Sequence, residues 1–145
     1  MNPRFPSSGW LLLVVLLCAV PLACEHADPV GTNGDGPEAT LSSIQTNIFD
    51  TRCALSGCHA GPNAQQGMDL SAGAAHDNIV NVPSNEQPEL DRVEPGQPNA
   101  SYLIHKIEGR ASIVGQRMPL GREPLSQDEI DAIRDWIADG APADD

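Results

Sequence analysis

The chain has 145 residues and five aromatics (Phe5, Trp10, Phe49, Tyr102 and Trp136) against 13 Gly and 13 Pro; twenty Asp and Glu outnumber eight Lys and Arg, for a formal charge of −12. At this length it holds one small domain of modest burial per residue, and its charge argues against a nucleic-acid or anionic-membrane surface and for cationic partners. The motifs of phosphate-binding loops, nucleophile elbows and zinc proteases (G-x-x-x-x-G-K-[ST], G-x-S-x-G, H-E-x-x-H) do not occur.

Residues 1–9 carry one charge, Arg4, and precede an uncharged apolar run over residues 10–23. Fourteen residues fall short of the roughly 20 that span a bilayer and fit the apolar region of a secretory signal, so residues 1–23 read as a leader. Its end, Val20-Pro-Leu-Ala-Cys24, resembles a bacterial lipobox, in which a small residue precedes a cysteine that is lipidated and becomes the new N-terminus. Leu22, Ala23 and Cys24 follow that pattern and Pro21, where Leu is usual, departs from it. The alternative is an ordinary signal cleaved nearby, with Cys24 left as a free exported thiol. Residues 24–40 are rich in Gly, Pro, Asp and Asn without apolar periodicity, which predicts a disordered tether; His26 within it reads as a solvated side chain.

Once Cys18 leaves with the signal and Cys24 takes lipid, one cysteine pair remains, in the string Cys53-Ala-Leu-Ser-Gly-Cys58-His59. Two cysteines followed at once by histidine mark covalent c-type haem attachment, usually as C-x-x-C-H. The chemistry asks that two thiols reach two vinyl groups on one porphyrin edge while the next imidazole turns to the iron. Four intervening residues instead of two must bulge, and Gly57 supplies backbone freedom for the bend. Two other readings stay open, a small-loop disulfide and two ligands of an incomplete zinc site.

Further along, the turn at residues 94–98 is followed by a predicted helix over residues 99–108 that buries Leu103, Ile104 and Ile107. Candidates for a second axial ligand are Met68, Met118, His76 and His105. Met118 precedes Pro119 between Gly115 and Gly121, and a residue before proline favours extended backbone, as suits a loop laid across a haem face; its alternative is a methionine filling an irregular gap. His105 reads as able to face solvent, and His76 as the runner-up ligand. Arg92 and Arg117 either neutralise propionates or, by default, pair with carboxylates on the surface. Ser126 and Glu129 form a capping box opening a helix whose Ile130, Ile133, Trp136 and Ile137 make one apolar stripe, with Gly140 at its end.

Residues 41–143 resemble a small bacterial c-type cytochrome domain. The pieces are Ile44 to Phe49 before the cysteines, CHAG at 58–61, GMDLSAG at 67–73, RVEPGQPNASYLIHKIEG at 92–109, RMPLG at 117–121 and LSQDEIDAIRDWIADGAP at 125–142. The resemblance implies an all-α, cytochrome c-like helical domain wrapped around one covalent haem c, with long loops, and a terminal helix crossing the N-terminal one near Ile44, Ile48 and Phe49 with Trp136 at the crossing. Cys53 and Cys58 would form the thioethers, His59 would be the proximal iron ligand and Met118 the distal one, while Met68 would hold an apolar packing position in the core. The implied function is one-electron transfer on the periplasmic side of the cell envelope, in a lipoprotein held by Cys24 at the outer membrane, with redox proteins of basic docking face as partners. Rival readings are a haem protein with a labile sixth position, acting as peroxidase or gas or redox sensor, and a haem-free lipoprotein binding module with a Cys53–Cys58 disulfide.

Overall fold

The computed structural model describes Met1 and residues 36–143. The expected leader, Cys24 and the tether as far as residue 35 lie outside the described residues. Of the tether, residues 36–40 are laid against the domain: the Glu38 N–H donates to Ser43 Oγ at 2.9 Å, Ala39 packs on the core, and Thr40 caps α1 (Leu41–Ile44), its Oγ1 accepting from the Ser43 N–H at 3.3 Å.

Without a break α1 widens into a π-helical segment, Gln45–Cys53, closed by an i→i−5 bond from the Ala54 N–H to Phe49 O at 2.7 Å. Side chains favour the wider winding. Asn47 Nδ2 donates to Ser43 O at 2.8 Å and Thr51 Oγ1 to Asn47 O at 2.7 Å, so two i−4 carbonyls already have a donor from outside the backbone ladder. A π turn takes roughly 4.4 residues, about 82° each, so Cys53 returns to the face of Ile44 nine residues earlier. Steps of about 100° would have turned it to the opposite face. Ile44, Ile48 and Phe49 are fully buried on that face, and Cys53 packs half-buried beside them.

The terminal helix, labelled α4 here (Gln127–Ala138) once α2 (Ala75–Ile79) and α3 (Tyr102–Glu108) are counted, begins as the sequence predicts. Ser126 Oγ accepts from the Glu129 N–H at 3.2 Å while Glu129 Oε2 accepts from the Ser126 N–H at 2.7 Å. Past its last residue, Ala138, the chain turns away at Gly140, φ 97°. Trp136 is fully buried and its indole N–H donates to Pro142 O at 2.9 Å, which satisfies the ring's polar edge. α4 packs against both α1 and α3.

The helix predicted over residues 99–108 is interrupted. A 3₁₀ turn, Pro98–Ala100, is separated from α3 by Ser101, extended at φ −84°, ψ 120°. Ser101 is fully buried, and its hydroxyl accepts from the Glu94 N–H at 2.9 Å and donates to Gln97 O at 3.0 Å, which ties it to the preceding turn. The first N–H groups of α3, those of Tyr102 and Leu103, donate instead to Asp91 O and Arg92 O, both at 2.9 Å. The short α2, which the sequence reading does not contain, leads into isolated bridges between Val80 and Val93 and between Pro83 and Asp91. Apart from these bridges the regular structure of the described residues is helical. The core is mostly aliphatic around Phe49 and Trp136.

Candidate cofactor site

Cys53 closes the π segment, and the six residues after it fold back on its carbonyl. The N–H groups of Leu55 and His59 both donate to Cys53 O, at 2.9 and 3.2 Å, and the Cys58 N–H donates to Leu55 O at 2.9 Å. Gly57 makes the turn at φ 79°, and because a Cβ there would meet nothing, backbone conformation alone calls for glycine. The segment after the motif is pinned as well: Cys58 O accepts from the Gln65 N–H at 2.7 Å and His59 O from the Leu70 N–H at 2.8 Å. Asp69 Oδ1 accepts from the N–H groups of Gly61 and Ser71 at 3.0 and 2.9 Å, and hydrogen bonds from Ser71, then Gly61, hold its carboxyl below the usual range.

This loop borders a cleft with two adjoining parts, an inner one with an almost wholly apolar lining and an outer, more polar one, both open to solvent. Cys53, His59 and Met118 line both parts, Cys58 the outer and Met68 the inner. The four residues singled out in the domain, the outermost 65 positions apart in sequence, therefore share one cleft, and Met68, half-buried against the core, joins them. Leu70, Leu103 and Ile107 supply its apolar wall.

The other two candidate ligands lie elsewhere. His76 has Nε2 3.0 Å from Ala141 O. His105 is buried rather than facing solvent, because the break at Ser101 turns it to the preceding turn, where Nε2 lies 2.8 Å from Asn99 O. Neither lines the cleft.

Burial sets the protonation of the site. It pushes the His59 imidazole below its ordinary pKa; the backbone of Met68 and of Gln65 opposes part of that shift, yet neither completes a hydrogen bond to Nδ1, which is buried without a partner. The neutral ring is the form that binds a metal. Burial likewise pushes the Cys53 thiol up to about 12, with Arg52 opposing and Glu129 and Cys58 adding. Cys58 is exposed, and both cysteines are free thiols.

Charge in the cleft runs against the charge of the chain. Residues 24–145 hold seven Lys and Arg; four of them, Arg52, Arg92, Lys106 and Arg122, line it, and among the described residues Glu86 is its one carboxylate. Arg92 is buried rather than paired on the surface: it donates to Asn78 O at 2.7 Å, Gln66 O at 2.8 Å and Gly67 O at 3.3 Å. Arg117, the other expected surface pair, donates to Ile107 O at 2.7 Å. A closed network absent from the sequence reading joins Glu86, Tyr102 and Lys106. Glu86 Oε2 accepts from Tyr102 Oη and Lys106 Nζ, both at 2.9 Å, and Lys106 also donates to Val114 O at 2.7 Å. Only the spacing of Tyr102 and Lys106 on one helix face could have suggested it.

The residues fit a haem: an apolar recess, two cysteine thiols, a neutral imidazole with its second nitrogen buried, a thioether, and cations suited to two carboxylates. Among the described residues no three His, Cys, Asp or Glu side chains converge as ligands of a bare metal ion. Comparison with known families, characterised proteins and solved structures returns no significant match.

Proposed function

We propose that the chain is a monohaem c-type cytochrome that passes single electrons in the cell envelope. The observation that carries this reading is the convergence of Cys53, Cys58, His59 and Met118 on one apolar, cation-bearing cleft. When bound, haem supplies an iron couple that takes up and releases one electron. Cys53 and Cys58 would hold it through thioethers, with His59 proximal and Met118 distal. Leu70, Leu103 and Ile107 give the inner recess an apolar wall, and Arg92, held by carbonyls alone, would offset the charge of the propionates. In the same reading residues 1–23 are a leader, Cys24 carries the lipid that holds the protein at the outer membrane, and a redox protein with a basic face docks on the acidic exterior.

Haem staining after denaturing electrophoresis tests the reading directly, since only a covalent group survives it. Expressed with cytochrome maturation, the chain is expected to stain and to give a six-coordinate low-spin spectrum with the weak Fe–S charge-transfer band. A colourless band would refute the assignment.

A further inference from the structure

Met118 is held by the end of α3. The last turn of a helix leaves its carbonyls without helical donors, and three successive ones here are taken up from outside the helix. His105 O accepts from the N–H groups of Gly109 and Arg110 at 3.0 and 3.1 Å, Lys106 O from the Met118 N–H at 2.9 Å, and Ile107 O from Arg117 Nε at 2.7 Å. Two neighbouring residues of the methionine loop thus clip to two neighbouring carbonyls of the helix whose Leu103, Lys106 and Ile107 line the cleft. The Arg117 side chain runs directly over Gly109: a Cβ there would lie 2.8 Å from Arg117 Cδ, 3.1 Å from Cγ and 3.2 Å from Cβ, and Gly109 sits at φ 72°. Glycine is therefore required twice, for the left-handed helix end and for the seat of the arginine. Among the described residues no carboxylate pairs with Arg117, so its bond to Ile107 O, and not an ion pair, fixes it.

We propose that Arg117, seated on Gly109, is a positioning residue that holds Met118 at the cleft and so sets how firmly the distal ligand stays on the iron. This rests on the reading of Met118 as distal ligand. The test compares the matured protein with Gly109→Ala, Arg117→Met and a control, Gly96→Ala, whose φ of 76° imposes the same backbone strain while its Cβ meets nothing. Three readouts are taken: haem staining, the Fe–S charge-transfer band, and titration with imidazole, which reaches the iron only when Met118 leaves.

All four proteins are expected to stain. The band should persist in the parent and in Gly96→Ala and weaken in the other two, which should bind imidazole about tenfold more tightly. Should Gly109→Ala fail to fold, Arg117→Met carries the comparison, since it keeps an unbranched stem over Gly109 and loses the donor to Ile107 O together with a charge that no carboxylate of the described residues pairs. Parental band and imidazole affinity in Gly109→Ala and Arg117→Met would overturn the proposal, as would loss of the band in Gly96→Ala, because general destabilisation would then suffice. A parent that stains but lacks the band removes Met118 as ligand and this proposal with it, leaving covalent attachment intact; an unstained parent refutes the cytochrome reading itself.

Discussion

The Cys53 thiol offers the sharpest chemical test of how the fold presents its site. Burial at the end of the π segment raises its pKa from 9.0 to about 12. Three units correspond to about 4 kcal/mol between the protonation states, or a thiolate population about a thousandfold lower than in the unfolded chain at mildly alkaline pH. Produced in the cytoplasm from residue 24 onward and without cytochrome maturation, the protein can be alkylated with iodoacetamide in buffer and in strong urea, and each cysteine followed by mass spectrometry. Exposed Cys58 is expected to label first, and Cys53 to accelerate by about three orders of magnitude on unfolding. The folded state keeps a proton that the unfolded chain loses, so stability is full below about pH 9 and falls as pH rises towards about 12, by at most about 4 kcal/mol. A thiol held protonated is also slow in disulfide exchange, which would leave the pair open for attachment instead of closing on itself. Equal labelling of the two cysteines in buffer, unchanged by urea, would refute this account of Cys53.

Other perturbations reach the frame around the site. Trp136→Phe removes the bond to Pro142 O and part of a fully buried ring; a loss of about 2 kcal/mol, read as a fall in Tm of about 8–16 °C for a domain this size, is expected in thermal melts. Ser126→Ala deletes one half of the capping box and should cost about 1 kcal/mol, visible as a smaller fall in Tm. His59 in the haem-free protein should titrate below ordinary histidine in ring NMR spectra, because burial disfavours its charged form. The unfolded chain then binds the extra proton, so stability declines as pH falls below 6.5; an ordinary titration curve for His59 would contradict its burial.

Legibility from sequence followed the range of the interactions. The start of α4 rests on two bonds between residues three apart, and Ser126 and Glu129 announce it. The apolar positions Ile44, Ile48 and Phe49 mark a buried face, but the π winding that brings Cys53 onto it depends on Asn47 and Thr51 donating to carbonyls, a choice that no apolar spacing encodes. The break at Ser101 and the burial of His105 depend on the turn at residues 94–99, and Arg92 is drawn inward by carbonyls 14 to 26 residues away. Within the site, the cysteines and His59 fall in seven consecutive residues and declare themselves. That Met118 shares their cleft rested on its place before Pro119 and on resemblance, and the means of holding it, through the end of α3, could not be read from a stretch of glycines around Met-Pro.

Two electrostatic demands on this protein are met in separate places. The exterior carries most of the −12 charge and acts over distances at which salt screens strongly, about 8 Å at physiological ionic strength. The cleft instead gathers cations whose desolvation is compensated locally: Arg92 by three carbonyls, Arg52 by Glu123 O, Pro124 O and Glu129, and Lys106 by Val114 O and Glu86. Glu129 and Glu86 pair with Arg52 and Lys106, but the carbonyl oxygens around Arg92 stabilise it without cancelling its charge, so an apolar ligand bearing carboxylates would still meet the positive field of Arg92. Added salt should therefore slow encounter with a basic partner while leaving the field in the recess largely intact, and the strongly acidic composition of the chain is compatible with an anionic group inside it.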